Sequence, residues 1–127
     1  MKINEKTPPR NFLVGTNEKF FMKDCGDIFL NDDELLTFKT TSGTEYDFSR
    51  KSWGYYATPS MNGRLENFNL RTCLIRNKKS NRYFILIVEK GHEDEFNKYL
   101  DQESCELVTW MDSTYELDKI RQLINEG

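Results

Sequence analysis

The longest unbroken apolar run in the chain, Tyr83 to Val88, is only six residues long. A helix that crosses a membrane needs about 20 apolar residues, so this run is the size of a strand. Its surroundings agree. Leu70 to Arg76 precedes it, and the polar link Asn77-Lys78-Lys79-Ser80-Asn81 separates the two. Such a link is turn chemistry, and the pair predicts a β-hairpin. Ile85, Leu86, Ile87 and Val88 follow one another without a polar break. The second strand is therefore expected to lie centrally in its sheet, covered on both faces.

Composition leans the same way. The chain has one alanine, Ala57, against nine Phe, six Tyr and two Trp. Alanine is the best helix former, whereas aromatic rings suit pleated, half-buried surfaces. Asp24 to Leu30 and Leu35 to Thr40 read as strands around the turn Asn31-Asp32-Asp33. Thr44 to Ser49 alternates, with Tyr46 and Phe48 on one side and Glu45 and Asp47 on the other. That period of two predicts an antiparallel strand, joined to its predecessor through Gly43. Pro59 to about Asn69 reads as an irregular surface loop, with turns at Pro59 and Asn62-Gly63.

The C-terminal third changes character. Phe96, Tyr99 and Leu100 recur at helical spacing over Glu93–Asp101, behind an acidic first turn. Glu106 to Met111 predicts a strand. Ser113-Thr114-Tyr115-Glu116 is a capping box that opens a helix to about Asn125. A strand after a crossover helix usually runs parallel to the strand before it. At 127 residues the chain suits one domain. The expectation is an α+β domain over 11–127: a mixed, mostly antiparallel sheet with two C-terminal helices packed on one face. Met1 to Arg10 is polar and carries Pro8 and Pro9, so it is expected to be a flexible arm. It does not read as a signal peptide. A cytoplasmic location and no membrane partner are expected, and the Asn, Lys, Phe and Tyr bias suits a bacterial, AT-rich source.

The net charge of −3 hides an uneven map. Residues 50–82 carry eight Lys or Arg against one Glu, a segment charge of +7. Residues 83–127 carry four Lys or Arg against eleven Asp or Glu, a segment charge of −7. Within the basic stretch, Trp53, Tyr55 and Tyr56 lie between Arg50 and Arg64, with Arg71 beyond, and Ser60 and Asn62 lie on the turn-rich loop. Arginine grips phosphate or carboxylate through paired N–H groups, and aromatic rings stack on bases or sugars. These eight residues form the candidate ligand-binding set. The competing reading is that the acidic third already neutralises them. Overall acidity disfavours nucleic acid as partner.

Other chemistry lacks its signature. No P-loop, G-x-G-x-x-G, G-x-S-x-G or H-E-x-x-H motif occurs. Cys25, Cys73, Cys105 and His92 lie more than ten residues apart, so no zinc spacing exists. Three reduced thiols, no metal and no cofactor are expected, and His92 is expected as an exposed helix-start residue. Three functional readings stay open. The first is an accessory domain that uses residues 50–71 to hold an anionic ligand, such as a nucleotide or nucleotide-sugar, or an acidic protein surface. The second is a small enzyme acting on a phosphate-bearing or sugar substrate, with catalytic residues unknown. The third is an oligomerising interaction module, which predicts that Trp53, Tyr55 or Trp110 is exposed in the isolated chain.

Overall fold

The computed structural model describes residues 1–126. Its eight strands lie in three antiparallel sheets, and two of its three helices are C-terminal. The architecture is α+β, with the strands divided among three small sheets instead of one.

The first sheet is a hairpin of β1 (Lys2–Val14) and β2 (Phe20–Phe29). Here the expected flexible arm is strand: Lys2 to Glu5 pairs with Gly26 to Phe29. The prolines do not prevent this, because they fall in a register shift between Glu5 and Arg10 where the ladder lapses. Gly26 faces that irregularity with φ of 144°, and a Cβ there would sit 2.2 Å from the Asn4 carbonyl oxygen. The clusters Phe12–Val14 and Phe20–Met22 pair across the hairpin with each other.

The second sheet orders β3 (Leu35–Lys39), β4 (Glu45–Lys51) and β5 (Gly54–Ala57) with β4 central. Leu36 pairs with Phe48 and Phe38 with Tyr46, as period-two alternation requires. Part of the expected loop Pro59–Asn69 is a short helix, α1 (Arg64–Asn67). The Ser60 hydroxyl accepts the Arg64 N–H at 2.8 Å. This single turn fully buries Leu65, and Pro59 is buried before it.

The third sheet holds β6 (Leu70–Asn77), β7 (Tyr83–Glu89) and β8 (Cys105–Trp110) in the order β7-β6-β8. The hairpin is as expected, and its centre is a correction. β6 is central, and β7 is an edge strand on which Tyr83, Phe84, Ile85 and Ile87 are 56%, 48%, 55% and 40% exposed. Both flanking strands run antiparallel to β6, so β8 is parallel to β7 with β6 between them. The connecting helix α2 (Glu93–Gln102) lays Leu100 and Phe96 on the sheet, closing a core of Cys73, Ile75, Val88, Leu100 and Cys105. Phe96 and Trp110 pack against it with ring centroids 5.9 Å apart.

The last helix, α3 (Thr114–Glu126), opens as expected: the Ser113 hydroxyl accepts the Glu116 N–H at 3.1 Å. It fully buries none of its residues. No described helix is long and apolar enough to cross a membrane.

Candidate functional site

The eight residues of the basic segment take up different surroundings. Ser60 caps α1. Asn62 donates from its side-chain amide to the Thr114 hydroxyl at 3.2 Å, tying the loop to the start of α3. Arg64 donates to the Asp47 carboxylate at 2.7 Å and lies over the Phe68 ring. That bond, followed by one from Thr37, holds the Asp47 carboxyl below the ordinary aspartate value of 3.8. Arg71 is the most enclosed of the cations. Its Nε–H donates to Asp112 at 2.7 Å, its Nη1 lies 3.5 Å from Glu93, and its guanidinium sits 3.7 Å from the Trp110 ring centroid. The Asp112 hydrogen bond, above all, raises the Arg71 pKa further.

These partners come from both sides of the basic stretch. Arg71 and Arg76 pair with Asp112, Glu93 and Glu106 of the acidic third, whereas Arg64 and Lys51 pair with Asp47 and Asp33. Much of the +7 is therefore matched by carboxylates within the chain. Among the described residues, Arg50 makes no ion pair. It donates to the Lys51 and Gly54 carbonyls and lies 5.8 Å from the Tyr55 ring centroid. Tyr55 stacks on Phe48 at 5.1 Å yet stays 61% exposed, and Trp53 at the hairpin tip is 72% exposed.

Tyr56 and Ser60 meet in a cleft of about 410 Å³ between β5, the following loop and the third sheet. Tyr46, Thr72, Ile85 and Met111 complete its walls, and no charged side chain lines it. Burial raises the Tyr46 pKa. The Thr72 hydroxyl is buried and finds no hydrogen-bond partner among the described residues. Arg50, Trp53, Tyr55, Asn62, Arg64 and Arg71 lie outside this cleft. Sequence reasoning missed its walls because Tyr46, Thr72 and Met111 meet only through the packing of two sheets.

Classical catalytic groups are dispersed. His92 lies 3.2 Å from Glu95 and 3.5 Å from Glu89, half exposed at the start of α2. Cys73 is buried, and desolvation pushes its thiol up to about 11, where little thiolate forms at neutral pH. Cys25 is exposed on the hairpin. Among the described residues no three His, Cys, Asp or Glu side chains converge into a metal-donor set.

The accessible surface is larger than that of an ordinary small domain, and many large hydrophobic side chains lie on it. The accessible area is 9185 Å². A folded monomer of 15.1 kDa should expose about 7,100 Å², so roughly 2,100 Å² is in excess. The exposed residues include Phe21 on the hairpin, Phe38 on β3, Tyr83 to Ile85 on β7, and Leu123 and Ile124 on α3. No known family, curated protein or solved structure matches the chain.

Proposed function

We propose that this chain is a protein-interaction module whose uncovered apolar surface is buried by another polypeptide surface. The supporting observations are the excess accessible area and the many large hydrophobic side chains that lie exposed. Contiguous apolar patches on monomers rarely exceed a few hundred Å², and larger ones mark interaction sites. A standard interface removes roughly 800 Å² from each partner, well within the excess of about 2,100 Å². The exposure of Trp53 and Tyr55 is what this reading expects.

Two measurements on the isolated chain test it. Light scattering is expected to report self-association or, failing that, a hydrophobic dye such as anilinonaphthalene sulfonate is expected to bind the monomer. A monomer that leaves the dye dark would sink the reading.

A second reading keeps the anionic ligand. Arg50, Trp53 and Tyr55 share one hairpin, with the aromatic faces exposed and the guanidinium free of carboxylates among the described residues. A mononucleotide or sugar nucleotide would stack on the rings and pair with Arg50. Titration with such ligands should shift the Trp53 indole resonance. An unmoved resonance at millimolar ligand removes this reading.

A further inference from the structure

We infer that the partner is a second copy of this chain, joined edge to edge through β7 into one continuous six-stranded sheet. The inference rests on the interaction-module reading and names its occupant. Hydrogen bonds to β6 occupy one edge of β7, and among the described residues its other edge pairs with nothing. An open edge presents unpaired N–H and C=O groups to any extended strand.

The other edges carry the devices that normally block such pairing. β1 and β2 are interrupted by the register shift at the prolines and bear Lys6, Arg10, Asp24 and Asp27. β8 is irregular where it passes Leu74 and Ile75. β5 spans four residues and starts at Gly54. β3 spans five and ends in Lys39. β7 has none of these. It pairs with β6 in unbroken register over seven residues, without proline, and its first charge is Glu89 at its end. A groove of about 390 Å³ runs beside it, lined by Leu86 to Glu89 and by Glu95, Phe96 and Tyr99 of α2.

The strand is complementary to itself. Two antiparallel copies of β7 in one sheet are related by a two-fold axis normal to the sheet, so one residue meets its own copy. With Ile85 on the axis, Phe84 faces Leu86 and Tyr83 faces Ile87, so the five central positions pair apolar on apolar, while Val88 and Glu89 reach Arg82 and Asn81 beyond the partner strand's start. With Leu86 on the axis, Tyr83 would face the Glu89 carboxylate within the strand, and Arg82 would face Lys90 just beyond it, where like charges directly opposite are destabilising. The Ile85 register is therefore the one assigned. A standard dimer buries roughly 800 Å² per chain, within the excess of about 2,100 Å².

The test combines mass, charge insertion and cross-linking. Light scattering on the wild-type chain, at about 100 μM, should give twice the 15.1 kDa chain mass. Ile85→Lys should weaken the dimer by at least about a hundredfold, whereas Asp118→Lys, an equal insertion of lysine on the exposed side of α3, should leave it intact. In a Cys25→Ser background, Ile85→Cys should oxidise in air to a disulfide dimer at least about tenfold faster than Phe84→Cys. Circular dichroism checks that each variant folds. A dimer that survives Ile85→Lys, or one that cross-links faster at Phe84→Cys, overturns the β7 assignment and leaves the module reading standing. A monomer that binds the hydrophobic dye overturns self-pairing alone. A monomer that does not bind it overturns both.

Discussion

Along the β1–β2 hairpin, strand pairing runs from Lys2 to Phe29 and no strand residue is buried. Along β6, strands pair on both sides, and Leu70, Thr72, Cys73 and Ile75 are all buried. In each region about a third of the residues are large apolar ones, Leu and Ile on β6 and Phe, Leu, Ile and Val on the hairpin, so their share does not separate the two. A second layer does. α2 covers the third sheet and α1 sets Leu65 beside β6, whereas the hairpin meets the rest of the chain near its ends, the third sheet through Val14 and Phe20 and the second through Ile28, and buries no residue fully. Hydrogen bonding alone makes a ribbon, and burial against another element makes a core.

The hairpin is held at its loop. The Thr16 N–H donates to the Glu103 carboxylate at 2.6 Å, and the Asn17 side chain donates to the Gln102 carbonyl at 2.6 Å. Glu103 is itself buried, so the bond is shielded from water. The contrast is thus between a covered sheet with an interior and a ribbon fastened near its ends, at the loop by Thr16 and Asn17 and at the other end by the Met1–Glu34 ion pair.

The largest expected effect lies in the core. Leu100→Ala should cost about 2–5 kcal/mol in urea denaturation, by removing a buried side chain and leaving a cavity. Phe21→Ala, at a 72% exposed site on the hairpin, should change stability by no more than about 0.5 kcal/mol. Similar costs for the two would abolish the distinction between ribbon and core. Thiol chemistry sharpens it next. In the native chain Cys25 should react with a disulfide reagent at least about a hundredfold faster than buried Cys73 and Cys105. Counting labelled thiols by mass spectrometry reads this directly.

A smaller effect probes the fastening. Glu103→Ala should lower hydrogen-exchange protection at the Thr16 amide by about fivefold, equivalent to roughly 1 kcal/mol, while core amides on β6 hold. Equal loosening of both regions would show them to be one cooperative unit. The smallest effect is electrostatic. Arg64 holds the Asp47 carboxyl below its ordinary 3.8, so protonating it costs more in the folded chain. The contribution is complete above that value and is lost as the pH falls through and below it. Arg64→Met should flatten this part of the acid-denaturation curve without altering stability differences between pH 6 and 8. An unchanged acid limb would remove Asp47 from the account.

Local signals revealed what is local. The 77–81 turn, the alternation at Tyr46 and Phe48, the acidic start of α2 and the Ser113 cap are each visible within about six residues, and each element stands where they point. The position of β7 is a different matter. A continuous apolar run is the same string whether a strand is covered by its own chain or by another, so Ile85 to Val88 could not distinguish a centre from an edge. The prolines argued for an arm because the lapse in pairing that accommodates them, residues 6–9 of β1 opposite Cys25, exists only once β2 lies alongside. At the candidate site, charge asymmetry was legible. The carboxylates that meet Arg64 and Arg71 stand 17 and 41 positions away, beyond any local pattern.

The two tryptophans occupy opposite environments. Trp53 is bathed in solvent at a hairpin tip, while Trp110 is half-buried with a guanidinium over one face and Phe96 beside it. The chain therefore carries two built-in optical reporters. Trp53 should emit towards the red and be quenched readily by iodide. Trp110 should emit further to the blue and respond when Arg71 leaves its ring. A Trp53→Phe chain would report on the covered sheet alone, and a Trp110→Phe chain on the hairpin surface alone. Folding and surface contact can then be followed separately in one protein, with no label attached.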